Sequence, residues 1–186
     1  MPGRMLAYLF WHVPRDGVDR DRYVALLTAF HDALRAAPPP AFVRSWSVAL
    51  ETAPWPSTTD GPRFEDWYLV EDWAALGTLN DAAVRAPREG AHDAIAGLAT
   101  DGAGGLYALQ HGTLDGPAPW AGWVTKPPGE PYDMFEPALR GAVDAAGGGA
   151  VLRRQMVLGP APEYAVLATT PPELPWPVRT TRPHAL

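Results

Sequence analysis

The chain has 186 residues, of which 47% are hydrophobic and 19% charged, so it can bury a core and is not a disordered sequence. It contains no cysteine, which excludes disulfides, iron–sulfur clusters, thiolate zinc sites and cysteine nucleophiles. Its net charge of -6 at pH 7 argues against a nucleic-acid partner, because no basic surface is available to displace counterions from phosphates.

The first half of the chain predicts the order βαββαβ. Apolar residues recur at helical spacing behind Asp19, the expected N-cap of a helix over 20–36, and again behind Asp72. Pro87 interrupts the second helical pattern, which then resumes. The glycines at 102–105 predict a turn. Strands are expected at 5–13, 42–51, 64–71 and 106–113, and a polar loop is expected at 53–63.

After a linker at 115–119, the pattern restarts and predicts βαββ. Asp133 and Glu136 have the spacing of a capping box, and an apolar helical stripe follows them. The remaining segments of this half are strands at 120–126, 150–158 and 163–170 and a proline-rich tail at 171–186.

These patterns predict an α+β fold with tandem ferredoxin-like units, a complete one at 5–114 and a truncated one at 120–170. Two pairs of landmarks suggest an internal duplication: Trp11 matches Trp123, and the segment 41–44 matches 150–153. The short linker favours closure of the two antiparallel sheets around a barrel-like interior within one chain.

The layout over about residues 5–170 resembles the dimeric α/β-barrel superfamily. The Phe30-His31 pair is similar to one in EthD-like members, which are distant relatives of antibiotic-biosynthesis monooxygenases. The strings KPPGEPYDMFEPAL and RRQMVLGPAPEY resemble a bacterial family without an assigned activity. The resemblance implies a ferredoxin-like subunit whose open sheet face packs against a second such face.

Strand periodicity sorts the side chains that we expect to face the barrel interior. His12, Arg44 and Asp66 are the candidate catalytic residues, with His12 as a base near neutral pH and Arg44 as an anchor for a carboxylate or phenolate. Gln110 and His111 have opposite parity, so only one of them can point inward. The candidate ligand-binding residues are Tyr8, Trp46, Tyr68, Arg153 and Gln155.

The favoured function is small-molecule binding, with a cofactor-independent monooxygenase or isomerase of an aromatic or polyketide-like compound as its catalytic form. The alternatives are a non-catalytic binding or assembly protein with a packed barrel core, and a haem-binding barrel. The five histidines show no HxH or HExxH pairing, so we expect no metal site and no cofactor. We expect a cytoplasmic protein without a nucleic-acid or membrane partner, whose partners are a hydrophobic or aromatic small molecule and, as a further option, a second copy in a homodimer.

Overall fold

The computed structural model describes residues 5–51, 63–157 and 162–186, so most of the predicted loop at 53–63 and the end of the strand predicted at 150–158 lie outside the described residues. The helices are Arg20–Ala36 (α1), Trp73–Ala83 (α2), Glu89–Ala96 (α3) and Tyr132–Ala145 (α4). The strands are Leu6–Pro14 (β1), Phe42–Leu50 (β2), Arg63–Val70 (β3), Ala99–Gly112 (β4), Trp120–Val124 (β5), Gly149–Val157 (β6), Tyr164–Ala168 (β7), Arg179–Thr181 (β8) and Pro183–Ala185 (β9).

All nine strands form one antiparallel sheet in the order β8-β5-β7-β6-β4-β1-β3-β2-β9. The first half supplies the order β4-β1-β3-β2, which is that of the ferredoxin-like sheet, and the second half supplies the matching order β8-β5-β7-β6. The two halves join where β4 pairs with β6. The predicted α+β fold class is therefore confirmed.

The C-terminal tail closes the sheet. Strands β8 and β9 are separated by one residue, Arg182, yet they lie at opposite ends of the strand order, on β5 and β2. Since consecutive segments of chain cannot be far apart, the two edges of the sheet meet and the sheet curls into a nearly closed barrel. The sequence predicted only a proline-rich tail here, and the structure shows that β8 fills the position of the fourth strand in the second half.

The barrel interior is a packed aromatic core. Its side chains come from strands of both halves and from the linker region, and Trp11 meets Trp123 edge to face with ring centroids 5.7 Å apart. Two separate apolar clusters lie on the outer face, one beneath α1, α2 and α3 and the other beneath α4. Burial of these three clusters is the main stabilising contribution to the fold.

Local signals set most element boundaries. Asp19 accepts a hydrogen bond from the Arg22 backbone N–H (2.8 Å), and Asp72 accepts one from the Ala75 N–H (2.9 Å), so both predicted caps are confirmed. The predicted capping box of α4 is wrong, because Pro131 occupies its N-cap and Asp133 lies in its first turn.

The predicted glycine turn before the fourth strand is also wrong, since β4 already begins at Ala99. The glycines there lie within the strand, where aromatic rings of β1 cross closely over them. A Cβ on Gly102 would lie 2.7 Å from the Phe10 ring, and one on Gly105 would lie 3.3 Å from the Trp11 ring. These positions need glycine for close packing rather than for a turn.

Candidate functional site

A cluster of polar side chains lies buried between α1 and the sheet. Its members come from four elements of the first half, namely β1, α1, β2 and β3. All of them have at most 8% of their surface exposed. We define this helix-side cluster as His12, Tyr23, His31, Ser45, Asp66 and Tyr68.

Asp66 stands at the centre of the helix-side cluster. Its Oδ2 lies 3.1 Å from His12 Nε2 and accepts a hydrogen bond from the Tyr68 hydroxyl (3.0 Å), while its Oδ1 lies 3.6 Å from His31 Nε2. The outer ring nitrogens are also engaged. His12 Nδ1 is 2.5 Å from the Tyr23 hydroxyl, and His31 Nδ1 is 2.8 Å from Ser45 Oγ. The cluster is therefore one continuous polar chain through the core.

The electrostatics favour an ionised carboxylate at the centre. Burial alone would raise the pKa of Asp66, but the electrostatic interactions of its carboxylate with the adjacent His12 and His31 rings outweigh burial and hold that pKa well below its usual range. Burial, and then the negative charge of Asp66, raise the pKa of both Tyr23 and Tyr68. Both phenols consequently remain protonated, and Asp66 remains charged, across the neutral range.

Part of the hydrogen-bonding capacity on this face is unused. His12 Nε2, His31 Nε2, Asp66 Oδ1 and the nearby Ser47 Oγ are buried and have no aligned hydrogen-bond partner among the described residues. His12 Nε2 and Asp66 Oδ2 lie 3.1 Å apart without the alignment of a hydrogen bond. Buried polar atoms without partners are costly, and they are typical of sites that await water or a ligand.

The second half shows which residues the same architecture needs. Trp11 of β1 pairs with Glu65 of β3, and Trp123 of β5 pairs with Ala165 of β7, which aligns the two strand pairs. The helices α1 and α4 align in the same way: Tyr23 and Phe135 are each the fourth residue of their helix, and both are fully buried. The two helices are therefore separated by the same number of residues as β1 and β5 are.

At the aligned positions the second half carries only apolar side chains. The pairs are His12 with Val124, Tyr23 with Phe135, His31 with Val143 and Asp66 with Val166. All four apolar counterparts are fully buried. Since apolar residues pack this layer at least as well as a buried ion pair does, the fold itself does not require the helix-side cluster.

The structure brings four predicted site residues together but on the other face of the sheet. Tyr8, His12, Asp66 and Tyr68 share a face, which is covered by α1, so the prediction that they face the barrel interior is wrong. The polarity of these strand faces suggested a lumen, whereas the larger apolar rings on the opposite face, such as Trp11, fill the interior.

Arg44 and Trp46 lie apart from the helix-side cluster. Trp46 does face the barrel interior, as expected, where its ring stacks on Trp67 with centroids 5.6 Å apart. Arg44 is exposed, and its guanidinium donates to the backbone carbonyl of Asp115 in the linker. The expectation that His12 and Arg44 share a sheet face is therefore wrong.

Arg153 and Gln155 are likewise not in the barrel. Arg153 forms an ion pair with Glu136 of α4 (3.1 Å) and lies over the Tyr132 ring, so it faces the outer helix. Gln155 is exposed and donates to the Arg153 carbonyl (3.0 Å). His111 also faces α4, where its Nε2 lies 2.7 Å from Asp144, and so it does not point into the barrel.

The sequence reasoning missed Tyr23, His31 and Ser45. None of these three was among the candidate site residues, yet only 3% of the His31 surface is exposed. The signal was present: His31 follows Leu27 by four residues and thus continues the buried stripe that begins with Tyr23. A histidine within a buried helical stripe needs a polar partner, and Asp66 and Ser45 supply it.

The described part of the chain, residues 5–51, 63–157 and 162–186, has neither of two further features. No group of three or more His, Asp or Glu side chains there is arranged to hold a metal ion. Among the described helices, none combines the length and the apolar character needed to cross a membrane.

Comparison with solved structures shows that two other proteins share this fold. A provisionally named monooxygenase from Fusobacterium nucleatum aligns with a TM-score of 0.64 at 8% identity, over 89% of this chain and 75% of its own. An anthrone oxidase-like protein aligns with a TM-score of 0.52 at 10% identity, over 90% and 74%. At these identities the likeness shows a shared fold.

A dimeric ferredoxin-like protein from Bacteroides fragilis aligns over 58% of this chain, with a TM-score of 0.41 at 12% identity, too low to support an argument. No protein-family model and no curated protein sequence matches the chain.

Proposed function

We propose that the chain binds an aromatic small molecule at the helix-side cluster and abstracts a proton from it with His12. The observation that carries this proposal is the contrast between the halves: four buried polar side chains stand where the same layer elsewhere holds Val124, Phe135, Val143 and Val166. A buried charge that the fold does not need, with unused polar atoms beside it, supports a chemical role.

The geometry suits a general base. His12 Nε2 lacks an aligned partner and can accept a proton, and the imidazolium so formed lies 3.1 Å from the Asp66 carboxylate that stabilises it. The Tyr23 hydroxyl at His12 Nδ1 fixes the ring. His31, whose Nδ1 lies 2.8 Å from Ser45 Oγ, places its Nε2 3.6 Å from the same carboxylate.

The surroundings favour an aromatic ligand. The Tyr8 ring stacks on Tyr68 with centroids 5.9 Å apart and on Phe10 at 6.5 Å, and both Tyr8 and Phe10 are half-buried. These rings extend the buried face toward the surface, and a planar ring can stack on them. Because only 3% of the His12 surface is exposed, entry requires a small outward movement of α1.

Proton abstraction is the step common to both reactions that we consider. In an isomerisation, the deprotonated substrate takes the proton back at another atom. In a cofactor-independent oxygenation, the deprotonated substrate reacts with molecular oxygen. The names of two neighbours, a monooxygenase and an anthrone oxidase-like protein, support the second route.

An anthrone is a suitable probe, followed by oxygen uptake and by the change in its absorbance. His12→Gln should lower turnover by about 100-fold or more, which is the ordinary contribution of a general base. The matched control is His111→Gln, because His111 also pairs with an aspartate but faces α4, away from the helix-side cluster. Equal turnover by the two variants would refute the assignment of His12.

A non-catalytic assembly role is the second candidate, favoured by the tightly packed barrel interior. It predicts that the wild-type protein neither binds nor converts the aromatic probe in equilibrium dialysis. The purified protein also tests the haem alternative, since stoichiometric haem would give a Soret band.

A further inference from the structure

Glu65 is a second buried carboxylate, on the opposite face of β3 from Asp66. Adjacent strand residues project to opposite sides, so Glu65 points into the barrel, where 1% of its surface is exposed. Its Oε2 accepts a hydrogen bond from Trp11 Nε1 (2.6 Å), and its Oε1 accepts one from Trp67 Nε1 (2.7 Å). The two indoles orient the carboxylate, but being neutral they do not balance its charge.

In the described part of the chain, no basic side chain forms an ion pair with Glu65. The aligned residue of the second half is Ala165, which is fully buried. The second half therefore has no carboxylate at this layer. Glu65 is also absent from the base chemistry proposed for the other face of the sheet.

A small cavity adjoins the Glu65 carboxylate. Its free volume is about 10 Å³, which is room for one water-sized group. It reaches the surface beside the exposed Pro117 of the linker. The walls are mainly aromatic and aliphatic and come from both halves, the linker and the tail, with Trp46, Val48, Trp67, Ala118, Ala121 and Leu167 among them.

We propose that this cavity binds a small ammonium group, with Glu65 as its counter-ion and the rings of Trp46 and Trp67 as its aromatic walls. An ammonium ion is attracted by a carboxylate, and this attraction strengthens away from water. An anion would be repelled by Glu65. A neutral apolar guest would leave that carboxylate without a counter-charge. The free volume admits one ammonium head, so the methyl group of methylammonium would lie toward the opening beside Pro117.

Methylammonium is the probe, with titration calorimetry and tryptophan fluorescence as readouts at constant ionic strength. Two other probes separate charge from size: methanol has nearly the same shape without the charge, and tetramethylammonium has the charge but exceeds the cavity. We expect methylammonium to bind and neither of the others to bind comparably. Equal binding of methanol would show an apolar cavity only and would overturn the proposal, as would no binding of methylammonium.

Glu65→Gln should weaken methylammonium binding by about 30-fold or more, because it removes one partner of a buried charge pair. The matched control is Glu71→Gln, one residue beyond the end of β3 and exposed. We expect that control to bind as the wild type does. Equal loss in both variants would overturn the proposal.

A pH titration of the wild type keeps the test independent of how well the variant folds. Burial raises the pKa of Glu65 to about 7, and the charge of Asp66 behind it contributes in the same direction. Tyr107 of β4 is the other titratable group coupled to Glu65, and it stays neutral there because burial raises its pKa. Below pH 7 the affinity for methylammonium should fall about tenfold per pH unit, and above it the affinity should level off. Affinity independent of pH would refute Glu65 as the counter-ion.

This inference stands apart from the proposed function. The helix-side cluster and the Glu65 cavity lie on opposite faces of the sheet, and His12→Gln changes only the first of them. If methylammonium fails to bind while His12→Gln still abolishes turnover, only the cavity proposal is lost. If methylammonium binds and no aromatic probe is converted, only the proposed function is lost.

Discussion

Replacing the helix-side cluster by the residues of the second half should separate stability from function. We consider first the single substitution Asp66→Val, which copies Val166. It leaves two buried histidines and the Tyr68 hydroxyl without the carboxylate that now lies 3.0 to 3.6 Å from them. Removing one partner of a buried ion pair costs about 3–5 kcal/mol, so this variant should be strongly destabilised.

Removing the other polar members as well should restore most of that loss. The five-fold variant adds His12→Val, Tyr23→Phe, His31→Val and Tyr68→Phe to Asp66→Val. Valine is larger than aspartate and smaller than histidine, so the total volume of the layer changes little. Exchanging a complete buried ion network for apolar residues is neutral or stabilising by about 1–4 kcal/mol. We therefore expect the five-fold variant to be close to the wild type in stability.

Guanidinium denaturation followed by circular dichroism measures both free energies of unfolding. The decisive comparison is between the two variants. The free energy of unfolding of the five-fold variant should exceed that of Asp66→Val by at least about 3 kcal/mol. It should also neither bind nor convert the aromatic probe. A five-fold variant no more stable than Asp66→Val would show that the cluster is a structural requirement of the first half and would refute the reasoning from the second half.

Three further predictions concern stability. Burial raises the folded-state pKa of Glu65 to about 7, above its unfolded value, so its stabilising contribution is complete below about pH 4 and is lost as the pH rises through 7. Between pH 4 and pH 8, the free energy of unfolding of the wild type should therefore fall by about 3 kcal/mol relative to that of Glu65→Gln, as measured by denaturation. The same pH dependence in both proteins would contradict this. Thr181→Val removes the acceptor of the buried Trp123 Nε1–H (3.2 Å) and should cost about 1–3 kcal/mol, which thermal unfolding would detect. Gly112→Ala places a Cβ 1.8 Å from a carbonyl oxygen of β6, whereas Gly129→Ala meets open space at a similar positive φ and should cost about 1–2 kcal/mol; the first variant should therefore unfold at a clearly lower temperature than the second.

The fold was predictable because its signals are local. Asp19 and Asp72 are N-cap residues that predict the starts of α1 and α2, and the alternation of strand and helix patterns predicts the order of the elements. Strands β8 and β9 were not predictable, because three-residue strands rich in proline and threonine carry no period. Their pairing depends on the edges of β5 and β2, which exist only once the sheet has formed.

The sheet face on which each strand side chain lies was harder to predict, because it depends on how the strands of the two halves are aligned. We matched the segment 41–44 with 150–153, an odd shift of 109 residues. The structure instead aligns Trp46 of β2 with Ala150 of β6. Trp46 pairs with Trp67 of β3, and Ala150 pairs with Leu167, the aligned residue of β7. The resulting shift between β2 and β6 is an even number of residues. A change of one residue in register moves every side chain to the other face. Arg153 was placed in the barrel for another reason, namely that Leu152 was assigned to the helix side. The structure has Leu152 in the barrel core and Arg153 beside Glu136 of α4.

The polarity of a strand face was also a poor guide to the lumen. Tyr8 and His12 are more polar than Leu9 and Trp11, and a solvent- or ligand-filled barrel would place them inside. The barrel interior is instead filled by tryptophan rings from both halves, so the polar residues lie under α1. What the sequence did establish is that Glu65 and Asp66, being adjacent on one strand, cannot form a carboxylate pair.

Because Glu65 and Asp66 are adjacent on one strand, the two halves contribute unequally to the stability of the barrel. Glu65 and Asp66 place one buried charge on each face of β3, and both charges oppose folding unless a partner compensates them. The aligned residues of β7, Ala165 and Val166, carry no such cost and belong to fully apolar layers. If two identical halves formed the barrel, each would carry the cost or neither would. Joining unlike halves in one chain, through β4 and β6 and the closing strands β8 and β9, lets the apolar half stabilise the barrel while the first half keeps its charges.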